Sequence, residues 1–139
     1  MRYLLDTNVI SEAIKTVPDK NVMRRLKENE DDLATASLVW HELHYGCHWL
    51  PKSRKRIFIE SYLREVVWLT MPILPYDARA AAWHADQRAR LISTGRTPPF
   101  VDGQIAAVAK VNELILVTRN TRDFSMFEDL DIETWHAHI

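Results

Sequence analysis

The sequence of 139 residues predicts an α/β domain with a central, mainly parallel β-sheet flanked by helices. Short apolar runs alternate with segments of helical periodicity, as strand–helix–strand units require. Only three glycines occur, Gly46, Gly95 and Gly103, too few for the many tight turns of an all-β domain. The length suits one domain, since a chain of roughly 150 residues buries about 68–70% of the surface exposed when unfolded. No repeat, linker or low-complexity tract divides the chain, so a single domain is expected over residues 1–139.

Tyr3–Leu5 reads as a short strand, followed by Asp6-Thr7-Asn8 and a helix to about Ile14. Val22–Asn29 is a second helix, and Leu33–Ala36 is a short buried strand. Ser37 is placed to cap a helix reaching Trp49. After Pro51, Lys52–Val67 carries Ile57, Phe58, Tyr62, Leu63 and Val66 at helical spacing. Met71–Leu74, with prolines at 72 and 75, suits an edge strand, where a missing N–H is tolerated. Asp77 caps a helix to Ser93, and Gly95 stands just past its end. Asp102–Val111 is an apolar helix, Leu114–Val117 a buried strand and Ile132–Trp135 a last strand.

Composition narrows the function. With 18 Lys+Arg against 19 Asp+Glu the net charge is −1, so the whole chain offers no basic footprint for nucleic acid. One cysteine, Cys47, excludes an internal disulfide and a four-cysteine zinc site, and fits a reducing compartment. Asp6 interrupts the apolar stretch that a signal peptide needs, and no apolar run approaches the ~18–20 residues of a membrane span. A cytoplasmic protein is expected. The glycine spacing fits neither GxGxxG nor GxxxxGK[ST].

Four acids stand apart from the polar surface clusters. Asp6 follows the first strand, and Glu42 lies about one turn into the helix after the second. Asp102 opens an apolar helix, and Asp123 follows Leu116-Val117-Thr118-Arg119-Asn120. Taken singly, each has a plain structural use as a cap, a helix-start charge, an exposed helix residue or a turn former. Together they fall on the strand-end side of the sheet, where open α/β folds bind ligands. Converging carboxylates repel unless a cation binds between them. Oxygen ligands without thiolates select Mg²⁺, or Mn²⁺ in its place, and such a site suits phosphodiester hydrolysis. Thr7, Asn8, Thr118, Arg119 and Asn120 add groups able to support the acids or contact substrate phosphates.

Leu4-Leu5-Asp6-Thr7-Asn8, Val39-x-x-Glu42-Leu43, Asp102-x-x-Ile105-Ala106-Ala107 and Val117-Thr118-Arg119-Asn120-x-x-Asp123-Phe124 resemble the PIN-domain ribonucleases. More narrowly, they resemble VapC-type toxins of bacterial type II toxin–antitoxin systems. The four motifs occur in order across nearly the whole chain, whereas residues 52–94 match in pattern only. The resemblance implies a PIN-like fold and a Mg²⁺-dependent endoribonuclease acting on cellular RNA such as tRNA or rRNA. It also implies a homodimer and a cognate VapB-type antitoxin. Asp6, Glu42 and Asp102 match the three central acids of the family. The fourth is assigned to Asp123, although many relatives carry an aspartate where Asn120 stands.

Other features have plainer uses. His41, His44 and His48 share a helical face with Cys47 beside them, but Tyr45 stands where HExxH needs its second histidine. Adventitious or packing histidines are expected there, not zinc. The run Lys52-Ser53-Arg54-Lys55-Arg56 reads as a solvated helix start or a phosphate-contacting patch, with Arg79, Arg88, Arg90 and Arg96 as a further basic rim. Trp40 and Trp49 mark a helix suited to self-association. The competing functions are a housekeeping or DNA-directed nuclease of the same fold, and a non-catalytic receiver-like signalling or binding domain. A receiver would want paired acids after the first strand, where Asp6 is followed by Thr7-Asn8. With the four candidate acids set aside from the 19, the balance becomes +3, as a basic-rimmed surface around an acidic metal pocket requires.

Overall fold

In the computed structural model, which describes residues 1–137, the strands are β1 (Tyr3–Leu5), β2 (Leu33–Ala36), β3 (Ile73–Leu74), β4 (Ile115–Val117) and β5 (Ile132–Glu133). They form one sheet in the order β3-β2-β1-β4-β5, and every pairing is parallel. All residues of β1 and β2 are buried. Strands covered on both faces need continuous apolar runs rather than alternation, which is the pattern of Tyr3-Leu4-Leu5. Thr35, the polar exception in β2, donates its hydroxyl hydrogen to the Leu5 carbonyl at 2.8 Å. The chain steps outward from β1 to β2 and β3, then returns to place β4 on the other side of β1. Connections therefore diverge at the carboxyl ends of β1 and β4, which leaves the crevice where such sheets bind ligands. The two edge strands, β3 and β5, are two residues each.

The helices are α1 (Thr7–Ile10), continuing as a 3₁₀ turn over Ser11–Ile14, α2 (Lys20–Glu28), α3 (Ser37–His48), α4 (Arg54–Tyr62), α5 (Trp68–Thr70), α6 (Ala78–Ser93), α7 (Phe100–Val111) and α8 (Thr121–Phe124). A π-helical turn, Leu63–Val67, joins α4 to α5. Asp19, Ser53 and Asp77 cap α2, α4 and α6 by accepting backbone N–H bonds. Past α6, Gly95 takes φ +80°, so its N–H reaches the Ile92 carbonyl while that of Arg96 reaches Leu91. A residue with a Cβ pays steric strain in that left-handed conformation. No helix among the described residues is long and apolar enough to cross a membrane.

Four local expectations need correction. Ser37 is the first helical residue rather than the cap; extended Ala36 precedes it and no side chain caps α3. α7 begins at Phe100, just after Pro99 as the non-helical cap residue (φ −54°, ψ 137°), so Asp102 sits in the first turn instead of opening it. In the segment 54–67 the inward face is Ile59, Leu63 and Val67, at i, i+4, i+8. Ile57, Phe58 and Val66, which shared the expected helical spacing, are 66%, 55% and 39% exposed. Finally, the last strand, expected over Ile132–Trp135, ends at Glu133.

The C-terminal segment is fastened to the turn before α2. Trp135 is fully buried, its ring edge-on to Tyr3 at 5.1 Å and under the Arg25 guanidinium at 4.9 Å. Asn21 donates its side-chain amide to the Trp135 carbonyl at 2.6 Å. Buried Glu12 accepts from the Asp19 N–H at 2.7 Å and meets Lys15 Nζ at 3.0 Å and His136 Nε2 at 3.2 Å. Burial would raise the Glu12 carboxyl, but these three donors hold it below its ordinary range. Trp135→Ala is expected to cost about 3–5 kcal/mol of unfolding free energy. Trp49→Ala, at a site 73% exposed, is expected to stay within about 0.5 kcal/mol. Urea denaturation followed by far-UV circular dichroism measures both.

Candidate active site

β1 ends at Leu5, so Asp6 is the first residue beyond the sheet. Its N–H still follows the ladder, donating to the Val117 carbonyl at 2.9 Å. Its carboxylate turns to cap α1, with Oδ1 accepting the Thr7 N–H at 2.8 Å. Oδ2 accepts the hydroxyl hydrogen of Thr118, the first residue past β4, at 2.8 Å. The Thr118 hydroxyl in turn accepts the Asn120 N–H at 3.1 Å. The side-chain oxygen of Asn8 accepts the Arg119 N–H at 3.1 Å. These bonds join the loops after the two neighbouring strands residue by residue. Glu42 reaches the same place from α3, its Oε2 accepting the Thr7 hydroxyl hydrogen at 2.7 Å.

Asp6, Thr7, Asn8, Glu42, Asp102, Arg119 and Asn120 line one cavity of about 400 Å³. Thr118 lies behind it, fully buried, as the support of Asp6. Asp123 is exposed on α8 and does not line the cavity, yet its charge acts on Asp102. Burial is the largest cause that raises the Asp6 carboxyl, opposed by the bonds from Thr118 and Thr7 and reinforced by Glu42. Asp102 is pushed up to about 6, first by burial and then by the charges of Asp6, Asp123 and Glu42. As placed, no three Asp, Glu, His or Cys side chains among the described residues could hold a metal ion. The chemistry of the donor set still fits one. Asp6, Glu42 and Asp102 bring hard oxygens to one cavity under mutual repulsion, which a divalent cation would relieve.

Two residues of this cavity, Ser11 and Lys15, escaped the sequence reading. Asn8, Ser11 and Lys15 stand at i, i+3 and i+7, so continuing the first helix through its 3₁₀ turn would have brought them onto one face. A third missed feature seats Asp102. Gly103 packs against His84 of α6 so closely that an added Cβ would collide with Nε2 and lie 2.6 Å from Cδ2. His84 is buried, meets the Tyr76 hydroxyl through Nδ1 at 2.9 Å, and leans on Phe100 at 4.7 Å between ring centres.

Several of the remaining candidates are engaged within the chain. Arg56 bonds Glu60 at 2.8 Å, the Leu50 carbonyl at 3.1 Å and His48 at 3.2 Å. Arg90 holds the Met126 carbonyl and Glu128, Arg79 lies 4.0 Å from Asp77, and Arg88 covers the Phe100 ring. His44 packs edge-on to Trp40 at 4.2 Å, and burial lowers its imidazole pKa. Cys47 is buried, and burial raises its thiol.

Two expectations follow from this geometry. Gly103→Ala should destabilise the fold by about 1–3 kcal/mol and displace the start of α7. Adding His84→Ala, which removes the obstructing ring, should restore part of the loss in thermal melts. Asp102→Asn should raise stability at pH 7. The carboxyl binds its proton more tightly folded than unfolded, so its ionisation costs stability increasingly from about pH 4 to 6 and fully above that range. After solvent screening the gain is about 1–2 kcal/mol, vanishing near pH 4. Melting temperatures of both proteins across pH 4–8 measure it.

Residues 3–131 match the family model of the PIN domain. The chain is 33% identical over 137 residues to "tRNA(fMet)-specific endonuclease VapC" of Shigella flexneri, covering 97% of this chain and 98% of that protein. The crystal structure of FitAcB from Neisseria gonorrhoeae superposes with a TM-score of 0.86 at 31% identity, over 94% of this chain and 95% of that one. VapBC2 from Rickettsia felis, solved bound to a DNA fragment from its promoter, gives 0.82 at 28% identity, over 97% and 99%.

Proposed function

The chain belongs to the PIN-domain family, and from that premise we propose that it is a VapC-type endoribonuclease, the toxin of a type II toxin–antitoxin pair, hydrolysing phosphodiester bonds in cellular RNA such as tRNA or rRNA. One observation carries the reading. Asp6, Glu42 and Asp102 meet in a cavity beyond the carboxyl ends of β1 and β4, with Arg119 on its wall. The relatives with ribonuclease names favour RNA over DNA as substrate, and family membership removes the ground for a receiver-like signalling domain.

In this proposal Asp6, Glu42 and Asp102, with Asp123 at the margin, hold Mg²⁺ or Mn²⁺. The ion, when bound, supplies Lewis acidity toward phosphoryl and water oxygens. The protein supplies position. Asp6 is locked by its bonds from Thr7 and Thr118, and Glu42 by the Thr7 hydroxyl, so two carboxylates need little rearrangement before reaction. Arg119 is placed to receive a substrate phosphate oxygen through charge-assisted bonds. In the hydrolysis a water oxygen bonds to phosphorus, the bond to the leaving ribose oxygen breaks, and that oxygen takes up a proton.

The partners in this proposal are a VapB-type antitoxin and a second copy of the chain, within the cytoplasm. The exposed apolar side chains Tyr45, Trp49, Ile57, Phe58, Trp68 and Leu69, on α3, α4 and α5, supply the surface for such contacts. FitAB and VapBC structures from other bacteria are complexes of this type by name.

Asp6→Asn is expected to abolish cleavage of a mixed tRNA and rRNA substrate while leaving the circular dichroism spectrum intact. EDTA should stop the wild-type reaction, and Mg²⁺ or Mn²⁺ should restore it. Undiminished cleavage by Asp6→Asn would remove the site assignment. Metal-independent cleavage would remove the cofactor, and preference for DNA of the same sequence would move the substrate to DNA.

A further inference from the structure

A second, larger groove of about 720 Å³ runs beside the acidic cavity, and the two share Lys15 and Arg119. Its two acids are each engaged within the chain. Glu12 is buried against Lys15 and His136, and Asp19 accepts the N–H groups of Asn21, Val22 and Ala137. Its cations face outward. Lys20 and Arg119 are exposed, and among the described residues no carboxylate pairs with either. Arg24 pairs with Glu28 at 2.9 Å in the open and also donates to the Asn21 side-chain oxygen; the exposed ion pair is weak enough to yield to a phosphate.

We propose that this groove carries the sugar–phosphate backbone of the substrate strand on one side of the cleaved bond. Lys15 and Arg119 stand at the junction, and Lys20 and Arg24 lie farther along. The inference rests on the nuclease reading above. A strand with its scissile phosphate beside Asp6 and Asp102 leaves the cavity past the residues that both hollows share. The next phosphates then meet Lys20, Arg24 and Arg119, with Asp19, held by three backbone N–H groups, as the one half-exposed carboxylate of the lining. The lining also says what the groove does not read. Its one aromatic ring, His136, is buried and held on Glu12 at 3.2 Å, so no ring of the lining is open for base stacking, and its apolar members are Val17, Pro18 and Ala137. Recognition there is directed at the backbone, tolerant of base sequence and steeply dependent on salt.

The test compares the full-length wild type with the double variant Lys20→Gln/Arg24→Gln. Arg64→Gln, an exposed change outside the groove, is the control. A 12-nucleotide single-stranded RNA is titrated in EDTA, where no cleavage is expected, at several salt concentrations. Two lost phosphate contacts should make the slope of log K against log salt shallower by about 1.4. The same loss should weaken binding on the order of tenfold or more at 50 mM salt. With Mg²⁺ restored, kcat/KM for the 12-mer relative to a dinucleotide should fall in the double variant. Arg64→Gln should match the wild type in both measurements. An unchanged slope and affinity in the double variant would overturn the groove assignment even if every protein still cleaved RNA. Failure of all three to cleave, with the slope still reduced, would overturn the nuclease reading and leave the groove as a nucleic-acid site.

Discussion

Carboxylates are gathered here against their own repulsion, and the rest of the site follows from how the fold holds them. The bond from Thr118 to Asp6 is the central tie, because it spans the two strands whose connections diverge. Asp6 faces a buried environment that raises its pKa and two donors that lower it. Glu42 has the Thr7 hydroxyl. Asp102 bears the unrelieved share, with its carboxyl pushed up to about 6 by burial and three neighbouring acids. The strain is therefore unequal: two acids are held by local bonds, and the third is placed by helix packing alone. That helix is seated through Gly103 and His84, contacts between α6 and α7 that touch no part of the cavity lining. Tertiary packing thus sets the position of a charge that its immediate surroundings disfavour.

Much of this was legible in the sequence because the signals are local. β1 and β2 are unbroken apolar runs, Asp77 and Gly95 punctuate α6, and Asp6 follows a strand directly. Parallel order follows once strands alternate with helices, and strand ends then become the place to look for acids. What escaped depends on contacts distant in sequence. Lys15 reaches the cavity at the end of the 3₁₀ turn that continues the first helix, and the groove beyond it is bounded by Trp135 and His136 docking against residues 12–25. The 54–67 helix misled for a different reason. Its apolar residues exceed what one buried face can take, so periodicity alone could not say which of them face inward.

The charge total illustrates the same limit. A net charge of −1 argues against nucleic acid when averaged over the chain, yet the structure sorts the charges by place. Asp6, Glu42 and Asp102 line one hollow, while Lys20, Arg24 and Arg119 line the next. Exposed charges farther apart than the Debye length, about 8 Å at physiological ionic strength, are largely screened from one another, so a bound group responds mainly to the charges nearest it. Local sign, not the sum, decides what each hollow attracts.

The sheet's two-residue edges have a consequence of another kind. An exposed strand edge invites a neighbouring chain to extend the hydrogen-bond ladder, the first step toward insoluble β-aggregates. Here β3 and β5 offer two residues each, and Pro72 removes one donor just before β3. Ladder growth beyond the sheet therefore starts from almost nothing. Crowded copies of this chain therefore meet through side-chain surfaces rather than by ladder growth, and the sheet remains a solitary scaffold.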